Sequence, residues 1–237
     1  MNPRGANISS ISKKALFAWS GGKDSAMALY KLQKSRDYKI SALLTTVTEG
    51  YDRISMHGVR RVLLEQQAKS LCLPLEKVYI SKTSSNEEYE AKMKAKLIIY
   101  KKRGVASVAF GDIFLEDLKK YRQEKLSEVG MKGIFPVWKT DTTKLAHTFI
   151  DLGFKAITTC VDKNSLNKKF VGRLFDREFL SDLPVGVDPC GENGEFHSFV
   201  YDGPIFQERI EFKTGRIVLR NKRFYYCDLM PSKFGAT

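Results

Sequence analysis

The chain has 237 residues, 43% of them apolar and 11% aromatic, which suits one or two domains with buried cores and excludes wholesale disorder. Lys plus Arg number 40 against 27 Asp plus Glu, and the formal charge of +13 fits a polyanionic partner (nucleotide, RNA or an acidic protein surface) or a solvated basic surface. No apolar run approaches the roughly 18 residues of a membrane span, and the first fourteen residues lack the apolar centre of a secretory signal, so a cytoplasmic protein without membrane contact is expected.

In chain order, a flexible segment is expected over residues 1–13, followed by a strand at 15–19, a glycine turn, and a helix burying Met27, Leu29, Tyr30 and Leu32. A second strand starts at Ile40, and Val59, Val62, Leu63 and Leu71 suit a helix after Gly58. Further strands are expected at 75–80 and at 105–110, with a charged helix over 86–102 between them; IFPVW from Ile134 and KAITTCV from Lys155 read as two more. Strands alternating with helices build a parallel α/β sheet whose ligands lie beyond the carboxyl ends of the strands. After Pro184, short runs separated by turn signals at Thr214-Gly215 and Asn221-Lys222 read as antiparallel hairpins. The expected organisation is a nucleotide-binding domain over 14–139 and a smaller α+β domain over 140–237. Cys72, Cys160, Cys190 and Cys227 are widely spaced without a C-x-x-C pair, which argues against a zinc knuckle or disulfide framework and for reduced thiols.

Ser20-Gly21-Gly22-Lys23-Asp24-Ser25 lies between a strand and a helix, where backbone N–H groups and the helix dipole attract an anion. The glycines permit close approach, the serines add hydroxyls and Lys23 adds charge. The spacing is not that of a Walker loop. A carboxylate at Asp24 beside phosphates calls for an intervening Mg²⁺. An ordinary strand–helix turn with Asp24 as a cap is the alternative.

The stretch DPCGENGEFH, residues 188–197, gathers carboxylates, glycines, a thiol and a histidine. A sharp bend at Gly191 and Gly194 would present Glu192 and Glu195 together, to hold ammonium or accept protons from an amine nucleophile; a polar turn with solvated acids is the other reading. On the expected rim, His57 is a candidate acceptor ligand, Arg60 a candidate ligand of a phosphate or carboxylate, and Asp112 is either a metal or ribose contact or a helix cap.

SGGKDS resembles the PP-loop of N-type ATP pyrophosphatases, and CGENGEFHSFVYDGPIF resembles a signature of the diphthine–ammonia ligase family. GVASVAFGDI, IFPVW and FKAITTCVD are similar to further segments of that family, so the likeness covers roughly residues 16–206. GDIFLEDLKKYRQ stands where the family has a shorter, less charged stretch. The resemblance implies a Rossmann-like PP-loop domain that binds ATP through residues 20–25 and Gly111, with Asp24 at Mg²⁺. It implies that a carboxylate is adenylated, pyrophosphate leaves and ammonia displaces AMP. Lys23, Asp24, Glu192 and Glu195 would carry the chemistry, and His57, Arg60, Arg122 and His197 would meet the acceptor. That acceptor would be diphthine on translation elongation factor two, or a small carboxylate. A tRNA-modifying PP-loop enzyme, favoured only by charge, and a non-enzymatic ATP-sensing module are the competing readings.

Overall fold

The computed structural model describes residues 13–50, 52–54 and 58–232. Of the expected N-terminal segment, only Lys13 falls within these, and it begins strand β1 (Lys13–Ala18). Ala15, Leu16 and Phe17 are fully buried, as a strand covered on both faces requires. β2 (Tyr38–Thr48) and β5 (Ser107–Ala109) flank β1 in parallel, and β4 (Leu75–Ile80) and β6 (Lys132–Ile134) extend the parallel sheet outward. β3 (Arg53–Ile54) pairs antiparallel with Val47 and Thr48, beyond the point where β1 ends at Leu44.

The helices connecting these strands are α1 (Lys23–Ser35), α2 (Arg61–Ser70), α3 (Asn86–Lys102) and α4 (Glu116–Ser127). Ser85 caps α3 by accepting from the Glu88 amide at 3.3 Å. Leu97 and Tyr100 of α3 and Leu126 of α4 close one sheet face in a core with Leu16, Leu44 and Val108.

The other face packs, through α1 and α2, against a second sheet ordered β8-β7-β10-β9, all antiparallel: β7 (Lys155–Asp162), β8 (Phe196–Asp202), β9 (Phe212–Arg220) and β10 (Phe224–Pro231). Helices α5 (Thr142–Asp151) and α6 (Arg177–Ser181), with a short 3₁₀ helix (Lys168–Phe170) between them, complete the described elements. A continuous core runs from Met27 and Leu63 to Phe149, Phe179 and Phe199. Its aromatics interlock, as where Phe149 stacks on Phe154 at 5.0 Å and Phe179 meets Phe196 edge-on at 5.2 Å. The architecture is the expected parallel-sheet α/β fold with a second, antiparallel element.

Three local expectations are corrected. IFPVW is not a strand: pairing stops at Ile134 and residues 136–139 turn, since Pro136 has no N–H for a ladder. KAITTCV lies in the second sheet rather than the parallel one, between β8 and β10. Thr214-Gly215 is not a turn but the interior of β9, where a register shift opposite residues 227–229 absorbs it and Gly215 lies 3.3 Å, by its ideal Cβ, from Asp228. The Asn221-Lys222 turn is observed, both residues taking φ near the left-handed region at 51° and 54°.

Candidate functional site

The carboxyl ends of β1, β2 and β5 open into a cavity of about 880 Å³. Ser20, Lys23, Asp24 and Ser25 line one side, Gly111, Asp112 and Arg122 another, and Glu192, His197 and Ser198 a third. Sequence-distant candidates therefore converge, because β1 and β5 end, and antiparallel β8 begins, at this rim.

The loop between β1 and α1 is built from the expected residues, and its bracing comes from elsewhere. Gly21 has φ of 79°, and a Cβ there would lie 2.8 Å from Gln67 Oε1. Gln67 is fully buried on α2: it accepts from Trp19 Nε1 at 2.9 Å and donates to the carbonyls of Gly21 at 3.1 Å and Val200 at 2.5 Å. The Val200 amide also donates to the Gly21 carbonyl, at 2.9 Å. Ser20 Oγ accepts from the Gly22 amide and Ser25 Oγ donates to the Gly22 carbonyl. Gly22 is the N-cap of α1 and has no side chain to cap with. Ser198, from β8, does so instead, accepting from the Lys23 amide at 3.2 Å. Two loop amides thus have protein partners.

The Lys23 side chain is 4% exposed and points toward the second sheet. Its ammonium donates to the Cys190 carbonyl, pairs with Asp24 Oδ2 at 3.0 Å and lies 4.9 Å from the centre of the Phe196 ring. Burial alone would lower its pKa, and attraction to Asp24, Cys190 and Glu192 together outweighs that, so the group is held more firmly charged. Burial raises the Asp24 carboxyl despite Lys23, although its side chain opens on the cavity at 27% exposure. Such a carboxylate is suited to a cation. Among the described residues no three His, Cys, Asp or Glu side chains gather to hold a metal on their own. The one carboxylate of the loop that lines the cavity, Asp24, is compatible with Mg²⁺, which takes one or two carboxylates and completes its shell with phosphate and water.

Gly111 closes the end of β5 against α1. A Cβ there would sit 2.8 Å from the Ser25 amide nitrogen and 2.9 Å from the Asp24 carbonyl carbon. Asp112 pairs with Arg122, Nε to Oδ2 at 2.6 Å, and the guanidinium stacks 4.4 Å over Phe110.

The two signature glutamates diverge. Glu192 faces the cavity, its Oε1 accepting from the Ile113 amide at 2.7 Å and its own amide donating to Asp188. Burial pushes its carboxyl up to about 7, further helped by the negative charges of Asp24 and Asp112 and opposed by the Ile113 amide. Glu195 is 6% exposed and braces the loop: Oε1 accepts from the Asp188 amide at 3.1 Å and from Asn193 at 3.0 Å. His197 stands on the cavity wall. Arg60 is not brought there; it and Arg53 pair with Asp228 of β10 at 2.7 and 2.8 Å. His57 lies outside the described residues. Gln67, Ser198 and Asp188 were missed; Ser198 and Asp188 lie in the signature stretch, and Gln67 carried no signal in the sequence.

A parallel sheet with an SGGKDS turn at its first strand, capped by a hydroxyl from a second sheet, defines a PP-loop protein of the ATP pyrophosphatase class. The chain belongs to the diphthamide synthase family: residues 13–133 match the model described as diphthamide synthase N-terminal domain and 141–230 that of the C-terminal domain. Curated relatives named diphthine–ammonia ligase include one from Schizosaccharomyces pombe, 27% identical over 225 residues, covering 86% of this chain and 37% of that protein. The Homo sapiens relative is 22% identical over 224 residues, covering 85% of this chain and 84% of that protein. The chain thus spans little more than a third of the first relative and most of the second. No helix among the described residues is long and apolar enough to cross a membrane.

Proposed function

We propose that the chain is an ATP-dependent ligase that adenylates a carboxylate, releases pyrophosphate and forms an amide with ammonia, releasing AMP. The observation that carries this reading is Glu192: a carboxyl with a pKa near 7, fixed by the Ile113 amide, on the same cavity as the Ser20 to Ser25 loop. Carboxylate oxygen is a poor leaving group and AMP a good one, so transfer of AMP must precede attack by ammonia. The loop and the N-terminus of α1 receive the phosphates. Asp24 would hold Mg²⁺, which when bound neutralises phosphate charge. Glu192 takes the proton released as ammonia adds to the acyl carbon, a task suited to a base whose pKa lies near the working pH. Arg122, oriented by Asp112 and Phe110, receives the acceptor carboxylate, with His197 beside it. Lys23 contributes its charge from below the loop, and Glu195 keeps Glu192 in place through the Asp188–Asn193 turn.

The acceptor we propose is diphthine, the substrate in the relatives' name, carried on translation elongation factor two; a small carboxylate is the alternative. Wild-type protein and Asp24→Asn are supplied with Mg-ATP, ammonium and a cell extract divided by dialysis. AMP and pyrophosphate formed by the wild type with the large-molecule fraction support a protein acceptor, and formation with the small-molecule fraction supports a metabolite. Absence of AMP with both fractions, alongside measurable ATP binding, overturns the ligase reading.

A further inference from the structure

β9 is an outer edge of the second sheet: among the described strands it pairs with β10 only. Every residue from 216 to 220 is exposed. The ladder sets Val218 opposite Tyr226 and Arg220 opposite Phe224, so Arg216, Val218 and Arg220 share one face and Ile217 and Leu219 the other. Ile217, Val218 and Leu219 are 39%, 38% and 48% exposed, an apolar run on a strand whose outer edge is paired with no other described strand. Residues 212–222 include Lys213, Arg216, Arg220 and Lys222 and no Asp or Glu, and Arg223 just beyond them is paired with Asp162.

We propose that the β9 edge docks an extended segment of a partner protein in which acidic residues alternate with apolar ones. The segment adds a strand to the sheet: main-chain hydrogen bonds hold it, and side chains alternate between the two faces. Its acidic residues lie across from Arg216 and Arg220, and its apolar residues across from Ile217 and Leu219. A second copy of the chain fits less well. Antiparallel self-pairing about Val218 sets Arg216 against Arg220 of the other copy, and each chain carries a formal charge of +13. RNA would use the cations but neither the open ladder nor the Ile217/Leu219 face. The same sheet carries His197 to the cavity wall and, through Asp228, anchors Arg53 and Arg60. A partner held here is therefore attached to the element that builds the site, and docking requires no turnover.

The test is fluorescence anisotropy of the full chain, without ATP, against a labelled peptide of alternating Glu and Val. Saturable binding is expected, weakened about tenfold or more by Arg216→Glu/Arg220→Glu. It is expected to be lost when alternate amides of the peptide are N-methylated, a change that leaves the protein untouched. Equal binding of a block peptide of the same composition would reduce the interaction to charge and overturn strand addition. So would equal binding of the N-methylated peptide, no detectable binding, or an unchanged affinity in a double variant whose circular dichroism matches the wild type. A dimer in sedimentation that the double variant abolishes would assign the edge to a second copy and overturn the proposal.

Discussion

The Lys23 ammonium donates to the carbonyl of Cys190, 167 positions further along the chain. A lysine in a phosphate loop would be expected to reach outward, but this one is turned under the loop, between Asp24 and the ring of Phe196. The contact joins the ATP loop directly to the turn that carries Glu192. Together with the Lys23 amide on Ser198, it makes the geometry of the loop depend on the second sheet.

Glu192→Gln tests the proton-accepting role. A base with pKa near 7 must be ionised to act, so the wild-type rate should rise as pH increases through about 7. The glutamine variant should lose that limb and about 10²- to 10⁴-fold in turnover. Stability should move the other way. Between the ordinary value of 4.5 and about 7 the folded state binds more protons than the unfolded chain, so wild-type stability falls as pH rises through this window. Above pH 7 the variant should be the more stable, by up to about 3 kcal/mol, as read from urea denaturation at several pH values.

Gly111→Ala places a methyl against the backbone of the first turn of α1. Neither neighbour is a flexible side-chain tip, so the turn must shift. A loss of about 1–3 kcal/mol in stability and a weaker calorimetric affinity for a non-hydrolysable ATP analogue are expected. Unchanged ATP affinity would show that the loop tolerates displacement.

Gln67→Leu retains volume and removes three buried hydrogen bonds. The Trp19 indole N–H is left without its acceptor. The expected cost is about 2–4 kcal/mol in chemical denaturation, with altered Trp19 fluorescence and weaker ATP binding because Gly21 loses a brace.

Cys190 lies within the signature, yet its thiol is 2% exposed and burial raises its pKa far above the ordinary thiol range. Lys23 uses the carbonyl of Cys190, which any residue supplies. Cys190→Ser should therefore retain most activity. In the native protein, a thiol reagent monitored by mass spectrometry should modify the exposed Cys72 well before Cys160, Cys190 or Cys227.

The parallel sheet and the ATP loop were legible in the sequence because their determinants are local. Fully apolar strand cores such as Ala15 to Phe17, helices of ordinary length between them and glycines at a strand–helix turn announce themselves within a few residues. Local signals misled where a neighbour decided the outcome. Gly215 looked like a turn, and pairing with β10 made it strand; Pro136 ended a strand that its apolar neighbours suggested.

The division of labour between Glu192 and Glu195 was not legible, since two glutamates three residues apart carry the same local chemistry. Only the tertiary structure sets one against the Ile113 amide in the cavity and turns the other into its own loop. Arg60 likewise suited a phosphate until β10 brought Asp228 to it. Local sequence determined which groups the chain possesses and which strand and helix present the ATP loop. Burial and partners came from residues 79 to 175 positions away, and these determined the protonation of Glu192, the direction of Lys23 and the cap of α1, because desolvation and hydrogen bonding depend on what the fold packs against each group.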